Sequence, residues 1–179
     1  MGSLDERLLR AARTHLHGPR RERAVARFSR LGEHGGVWLA LGVAGQALDR
    51  DRRARWRSAR NCVLGAYALN TALKLLARRR RPRLEGAAPL TSTPTQLSFP
   101  SAHASTSFAG ALSYSRLGLP RLPLYALACA LSASRVYLGV HYPSDVLAGA
   151  LLGTAVGRRC APREEAGASE ASWREQGRE

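Results

Sequence analysis

The sequence predicts an all-α protein, a polytopic membrane bundle of about five apolar helices behind a basic amphipathic N-terminal segment. Two observations predict it. Charged residues fall in blocks, and in the uncharged stretches between them Gly, Ala and Ser are scattered among Leu and Val with no polar stripe at helical spacing. Helices that are apolar all round, with small residues for close approach, suit a membrane bundle better than a soluble one. The formal charge of +15 is carried almost wholly by Arg at the ends of those stretches, where topology and anionic headgroups account for it.

Taken in order, residues 1–34 hold eight Arg over the pattern Leu4, Leu8, Leu9, Ala12, Leu16, then Val25, Phe28, Leu31. That reads as one or two surface helices, broken by Pro19, with His15, His17 and His34 as unpaired surface residues. The apolar segments are Gly35–Leu48, Asn61–Ala77, Pro100–Ser115, Leu122–Leu138 and Asp145–Gly157. A spanning helix wants about 20 mostly apolar residues. The second segment reaches that only if Lys74 faces a polar interior, and the fourth only if Arg135 does. The first and last are short and need flanking Arg to snorkel. The Pro/Thr/Ser-rich stretch Ala87–Ser98 reads as a loop. The domain is thus placed at 35–158, with 159–179, rich in both Arg and Glu, as a disordered tail.

The same charge first suggests nucleic acid. A nucleic-acid binder would carry its basic residues on an aromatic-bearing soluble face, whereas here the Arg blocks close apolar helices. The expected partners are a membrane and an anionic lipid. Cys62, Cys129 and Cys160 are too few and too far apart for a disulfide framework or a zinc site. Nothing in the sequence speaks to oligomeric state.

Of 28 basic residues 27 are Arg, so the single Lys, Lys74, is a candidate for a role that a guanidinium cannot fill. Between Gly86 and Gly157 the charged and histidine residues are only His103, Arg116, Arg121, Arg135, His141 and Asp145. Arg116 and Arg121 bracket the turn at Gly118–Pro120. The other four lie in or at the mouths of apolar helices, where ionisable groups are functional candidates. Up-and-down topology carries Lys74 and Arg81, the Pro100–His103 helix start, and Arg135, His141 and Asp145 to one end of the bundle.

Lys74 and Arg81, two helical turns apart on one face, join Arg135 as three fixed cations suited to phosphate oxygens. The N–H groups of Ser101, Ala102 and His103 at a helix N-terminus would aim at the same anion. Asp145, four residues after His141, would take its Nδ1–H and leave Nε2 free to attack phosphorus. His103 remains as general acid for the leaving oxygen. Two-metal phosphatases need several carboxylates, and this set offers one, so chemistry without metal or cofactor is expected.

At these residues the sequence resembles the type 2 phosphatidic acid phosphatases, lipid phosphate phosphatases that share a core with vanadium haloperoxidases. Lys74, six residues, then Arg81-Pro82 matches the first family motif. Pro100-Ser101-Ala102-His103 matches the second, with Ala where the family usually has Gly. Ser134-Arg135, five residues, His141, three residues and Asp145 matches the third. The resemblance spans Val37 to Gly157 and implies a phosphohistidine at His141, oriented by Asp145. It implies His103 as acid and then base, with Lys74, Arg81, Ser101, the Ala102 N–H and Arg135 on the phosphoryl oxygens.

The Arg-rich N-terminus and the run Leu97–Ala104 resemble actinobacterial members that act on polyprenyl-linked phosphates, decaprenylphosphoryl-phosphoribose among them. Undecaprenyl pyrophosphate, phosphatidic acid and phosphatidylglycerol phosphate stay open as substrates. The location implied is a bacterial cell membrane crossed several times, and positive-inside counting leans toward a cytoplasmic catalytic face.

Overall fold

The computed structural model describes residues 4–14, 17–83 and 88–162. The described chain folds into α1 (Leu4–Thr14), α2 (Pro19–Arg30), a 3₁₀ turn (Glu33–Gly35), α3 (Gly36–Leu48), α4 (Arg53–Ala77), α5 (Ala102–Ser115), α6 (Arg121–Tyr137) and α7 (Pro143–Cys160). The five apolar segments correspond to α3–α7. Helix α7 continues to Cys160, into the segment read as tail, and residues 163–179 and His15 lie outside the described residues.

Local signals place the helix ends. Pro19 and Pro143 sit in the first turns of α2 and α7, where a missing N–H costs nothing. Helix α4 stops because Arg78 turns into the left-handed region, φ 48, with its N–H returned to the Lys74 carbonyl. Arg81 therefore lies beyond the helix, which corrects the expectation that Lys74 and Arg81 share a helical face. Pro82 also disfavours helical geometry at the residue before it. The segment runs on extended, with a single antiparallel bridge between Arg80 and Leu97.

Helix α5 is the axis of the bundle, packed by α4, α6 and α7 and buried at most of its positions. At the end away from Lys74, Trp38, Trp56 and Tyr114 gather into an aromatic core. Its polar edges are satisfied internally: the Trp38 indole donates to Ser107 Oγ at 3.0 Å, and the Tyr114 hydroxyl to the Trp38 carbonyl at 2.6 Å.

Helix α7 presses on α5 through Gly149 and Gly153. A Cβ at Gly153 would stand 2.1 Å from the Ser105 carbonyl oxygen, and one at Gly149 2.5 Å from that of Ser101. The N-terminal helices, expected as surface elements, are docked. Leu9 is fully buried, and Arg13 reaches the Tyr137 and Ala88 carbonyls. His17 stacks on Tyr137 and pairs with Glu22, and His34 bonds the Tyr67 hydroxyl at 2.8 Å, so neither is the unpaired residue expected.

Among the described residues no helix is long and apolar enough to cross a membrane. The reasons are local. Helix α3, with 13 residues, rises only about 20 Å against a hydrocarbon core of about 30 Å. Helix α4 is long enough at 25 residues, but Arg53, Arg55, Arg57 and Arg60 occupy its first two turns.

Two glycines separate packing from propensity. Gly153→Ala is expected to cost about 1–3 kcal/mol through overpacking. Gly65→Ala, in α4 with open space around it, is expected to gain about 0.4–1 kcal/mol. Thermal unfolding of the two variants against the parent checks both signs.

Candidate active site

The loop ahead of α5 is tied down first. Asn70 and Lys74, one turn apart on α4, both donate to the Pro100 carbonyl, at 3.2 and 2.9 Å, and Asn70 also reaches Ser105 Oγ. Lys74 Nζ lies 3.4 Å from the Leu97 and Ser98 carbonyls as well, so three backbone oxygens hold the chain's single Lys.

Arg81 is fixed in the same manner, donating to the Thr95 carbonyl at 2.8 Å and the Val140 carbonyl at 2.7 Å. Burial pushes its pKa down to about 10, which leaves it charged at neutral pH. Arg135, on α6, donates to Ser29 Oγ at 2.8 Å and keeps its Nε buried without a partner.

Ser101 is the N-cap of α5, but its side chain makes no capping bond and its Oγ is buried without a partner. The Ser101 N–H donates to the Asp145 carbonyl at 2.9 Å, so it is spent within the fold and does not face an anion as expected. Ala102 and His103 are the first two residues of the helix, where N–H groups have no intrahelical acceptor. Ala102 is helical, so its difference from Gly imposes no strain. The His103 ring donates Nε2–H to the Ser29 carbonyl at 3.0 Å, packed over Gly32, where a Cβ would approach it to 2.7 Å.

His141 sits in the loop between α6 and α7, only 3% exposed. Its Nε2 lies 3.0 Å from Arg81 Nη1, so the guanidinium donates and Nε2 carries the lone pair. The proton is thereby assigned to Nδ1, which lies 3.5 Å from Asp145 Oδ2 without a hydrogen bond, so the donation expected from the sequence is not made here. Burial pushes the His141 pKa down to about 3 against the pull of Asp145, so the ring is neutral at physiological pH. Asp145, fully buried in the first turn of α7, accepts the Tyr142 N–H at 2.9 Å and an Arg79 N–H at 2.8 Å.

Lys74, Arg81, Ala102, His103, Arg135 and His141 line one cleft of ≈ 360 Å³, whose rim includes Glu33, His34, Tyr67 and Ser92–Pro94. A second cleft of ≈ 430 Å³ adjoins it, sharing Arg81, Ser92 and Thr93 and adding Arg83, Thr91 and Gln96. Ser101 and Asp145 stand behind the first cleft, and no group of three or more His, Cys, Asp or Glu among the described residues is arranged to hold a metal ion.

Sequence reasoning missed Ser29, Asn70, Arg79 and Asp5. Arg79 is one Arg in a run of them, and Ser29 and Asp5 belong to the segment read as surface. Only the apolar spacing at Leu9 hinted that this segment docks.

The family model of the PAP2 superfamily matches residues 57–164. The chain belongs to the PAP2 superfamily. It is 45% identical over 136 residues to a decaprenylphosphoryl-5-phosphoribose phosphatase of Mycobacterium tuberculosis, covering 75% of this chain and 76% of that one. A protein of the same name from Mycolicibacterium smegmatis is 40% identical over 122 residues, 68% of this chain and 67% of that one. In three dimensions the chain resembles the LpxE of Aquifex aeolicus, with a TM-score of 0.75 at 25% identity, covering 89% of this chain and 95% of that one. It also resembles a transmembrane PAP2-type phosphatidylglycerolphosphate phosphatase of Bacillus subtilis, with a TM-score of 0.73 at 25% identity, covering 87% and 82%. The chain is a lipid phosphate phosphatase.

Neutral His141 gives stability a pH dependence. The unfolded ring takes up a proton near pH 6.5 and the folded ring only near 3, so stability falls as pH drops through that window. His141→Gln is expected to lessen this fall without abolishing it, because burial holds His103 neutral in the same way, as melts from pH 7 to 4 would show.

Proposed function

We propose that the chain removes phosphate from a polyprenyl-linked phosphate lipid at a bacterial membrane, through a phosphohistidine on His141. One observation carries the mechanism: the lone pair of a neutral, buried His141 Nε2 faces Arg81 in a cleft that also holds Lys74, His103 and Arg135.

A phosphoryl group bound there meets the cations of Lys74, Arg81 and Arg135, the Ala102 and His103 N–H groups and the unpartnered Arg135 Nε, with the unpartnered Ser101 hydroxyl just behind them. Nε2 attacks phosphorus while the ester P–O bond breaks, and His103 protonates the departing oxygen. The Ser29 carbonyl holds His103 Nε2–H. The proton given to the leaving oxygen is a second one, taken up at Nδ1 as the anionic phosphate binds, since the buried ring is otherwise neutral. Asp145 stabilises the imidazolium as it forms, and the 3.5 Å approach shortens with the charge. Water, activated by His103, then cleaves the phosphorus–nitrogen bond and releases inorganic phosphate. No step calls for a metal or cofactor.

The substrate class rests on the 45% identity to the mycobacterial phosphatase. The adjoining cleft, walled by Thr91, Ser92, Thr93, Gln96 and Arg83, supports a polar headgroup larger than phosphate alone. Membrane placement is supported by the likeness to a transmembrane phosphatase and by a band of exposed leucines, Leu64, Leu69, Leu75 and Leu76 on α4 with Leu147 and Leu151 on α7.

Phosphate release from decaprenylphosphoryl-5-phosphoribose, undecaprenyl pyrophosphate, phosphatidic acid and phosphatidylglycerol phosphate tests the reading. The first is expected to be hydrolysed best. His141→Ala is expected to lose about 10³-fold or more in kcat, and wild-type enzyme quenched in alkaline detergent to hold a base-stable phosphate that acid releases. Unchanged release in His141→Ala overturns the mechanism.

A further inference from the structure

The carboxylate that serves His141 has a second charged neighbour, and that neighbour has a partner of its own. Arg79 Nη1 donates to Asp145 Oδ1 at 2.8 Å and to Ser144 Oγ at 2.7 Å. Its Nη2 donates to Asp5 Oδ2 at 2.9 Å, and its guanidinium lies 4.2 Å over the Tyr142 ring. Asp5 also accepts the Ser144 N–H at 3.0 Å and the Ser144 hydroxyl. The chain of charge thus reads His141, Asp145, Arg79, Asp5, the first two buried and the last two half-buried, alternating in sign once the imidazole is positive.

Asp5 comes from α1, outside the part of the chain that the family model covers. Its position does not depend on the ion pair alone. Leu9 buries the middle of α1, and Arg13 fastens its end to the Tyr137 and Ala88 carbonyls, beside Gly139 in the left-handed region.

Electrostatics gives this arrangement a consequence. A guanidinium bonded to one oxygen of Asp145 orients that carboxylate, leaving Oδ2 for the Tyr142 N–H and His141. Alone, it also repels the positive charge that His141 acquires when the phosphorus–nitrogen bond forms, and it weakens Asp145 as an acceptor. His141 and Asp145 are buried and Arg79 is bonded directly to the carboxylate, so solvent screens these charges only in part.

We propose that Asp5 is a positioning residue acting through Arg79, offsetting its charge so that Asp145 orients His141 without losing its hold on the imidazolium. This rests on the phosphohistidine reading above. It adds to the site a residue that touches neither substrate nor the reacting atoms.

A double-mutant cycle tests it, read by kcat and KM on the lipid phosphate that the wild type hydrolyses best. Asp5→Asn keeps an acceptor oxygen but removes the charge, and is expected to lower kcat about 10-fold with KM within about twofold. Asp5→Glu is expected to recover kcat to within about threefold. In the Arg79→Gln background the same Asp5→Asn change is expected to be silent, with kcat within about twofold of Arg79→Gln alone. That arm puts a neutral pair at positions 5 and 79.

An equal loss from Asp5→Asn in both backgrounds, or a KM effect at constant kcat, overturns the proposal and marks Asp5 as a structural tie of α1. His141→Ala assayed alongside separates the two failures. An active His141→Ala sinks the phosphohistidine, and an inactive one with an additive cycle sinks only the role of Asp5.

Discussion

The site depends on the way α7 closes on α5. The Ser101 N–H is bonded to the Asp145 carbonyl at 2.9 Å, and Gly149 and Gly153 let the two helices approach until backbone meets backbone. That contact brings two helix starts to one end of the bundle. His103 is the second residue of α5 and His141 lies two residues before the first of α7, so the contact between the helices sets the separation of the two histidines. Asn70 and Lys74 then secure the same end from α4 through the Pro100 carbonyl. Reading the Ser101 N–H as an anion donor overlooked this bond, because a free helix N-terminus and a clamped one look alike in residue types.

Within that frame, dipoles and not carboxylates hold the cations. Backbone carbonyls hold Lys74 and Arg81, and the Ser29 hydroxyl holds Arg135. Neutral partners fix geometry without cancelling charge, so the three side chains keep their attraction for an anion. Among the described residues the one buried carboxylate, Asp145, is placed behind His141, where it favours a positive imidazole and leaves the cleft side cationic. The cost is mutual repulsion among like charges held close together, a strain on stability that sites specialised for binding charge commonly carry.

Much of this was readable from residue order. The five apolar helices, the unusual single Lys and the sparse ionisable groups after Gly86 are properties of spacing and composition, and up-and-down connectivity sufficed to group them. What escaped depends on contacts between distant segments. Arg81 left the helix because Arg78 adopted a left-handed conformation, a choice that no Gly announced. Arg79 was hidden by its identical neighbours. The amphipathic pattern of residues 4–30 described a helix with an apolar face and did not say whether lipid or protein covers it.

The grip of Ser29 on His103 is made by a peptide carbonyl. Every amino acid has one, so the contact belongs to a place in the backbone and leaves no trace in residue identity. The Ser29 hydroxyl is a separate tie, to Arg135 and Ser134, so an exchange of that side chain loosens the cation while the histidine stays anchored. A scan that truncates side chains one at a time would report position 29 through Arg135 and pass over its hold on His103. Only a change in the path of α2 reaches that contact.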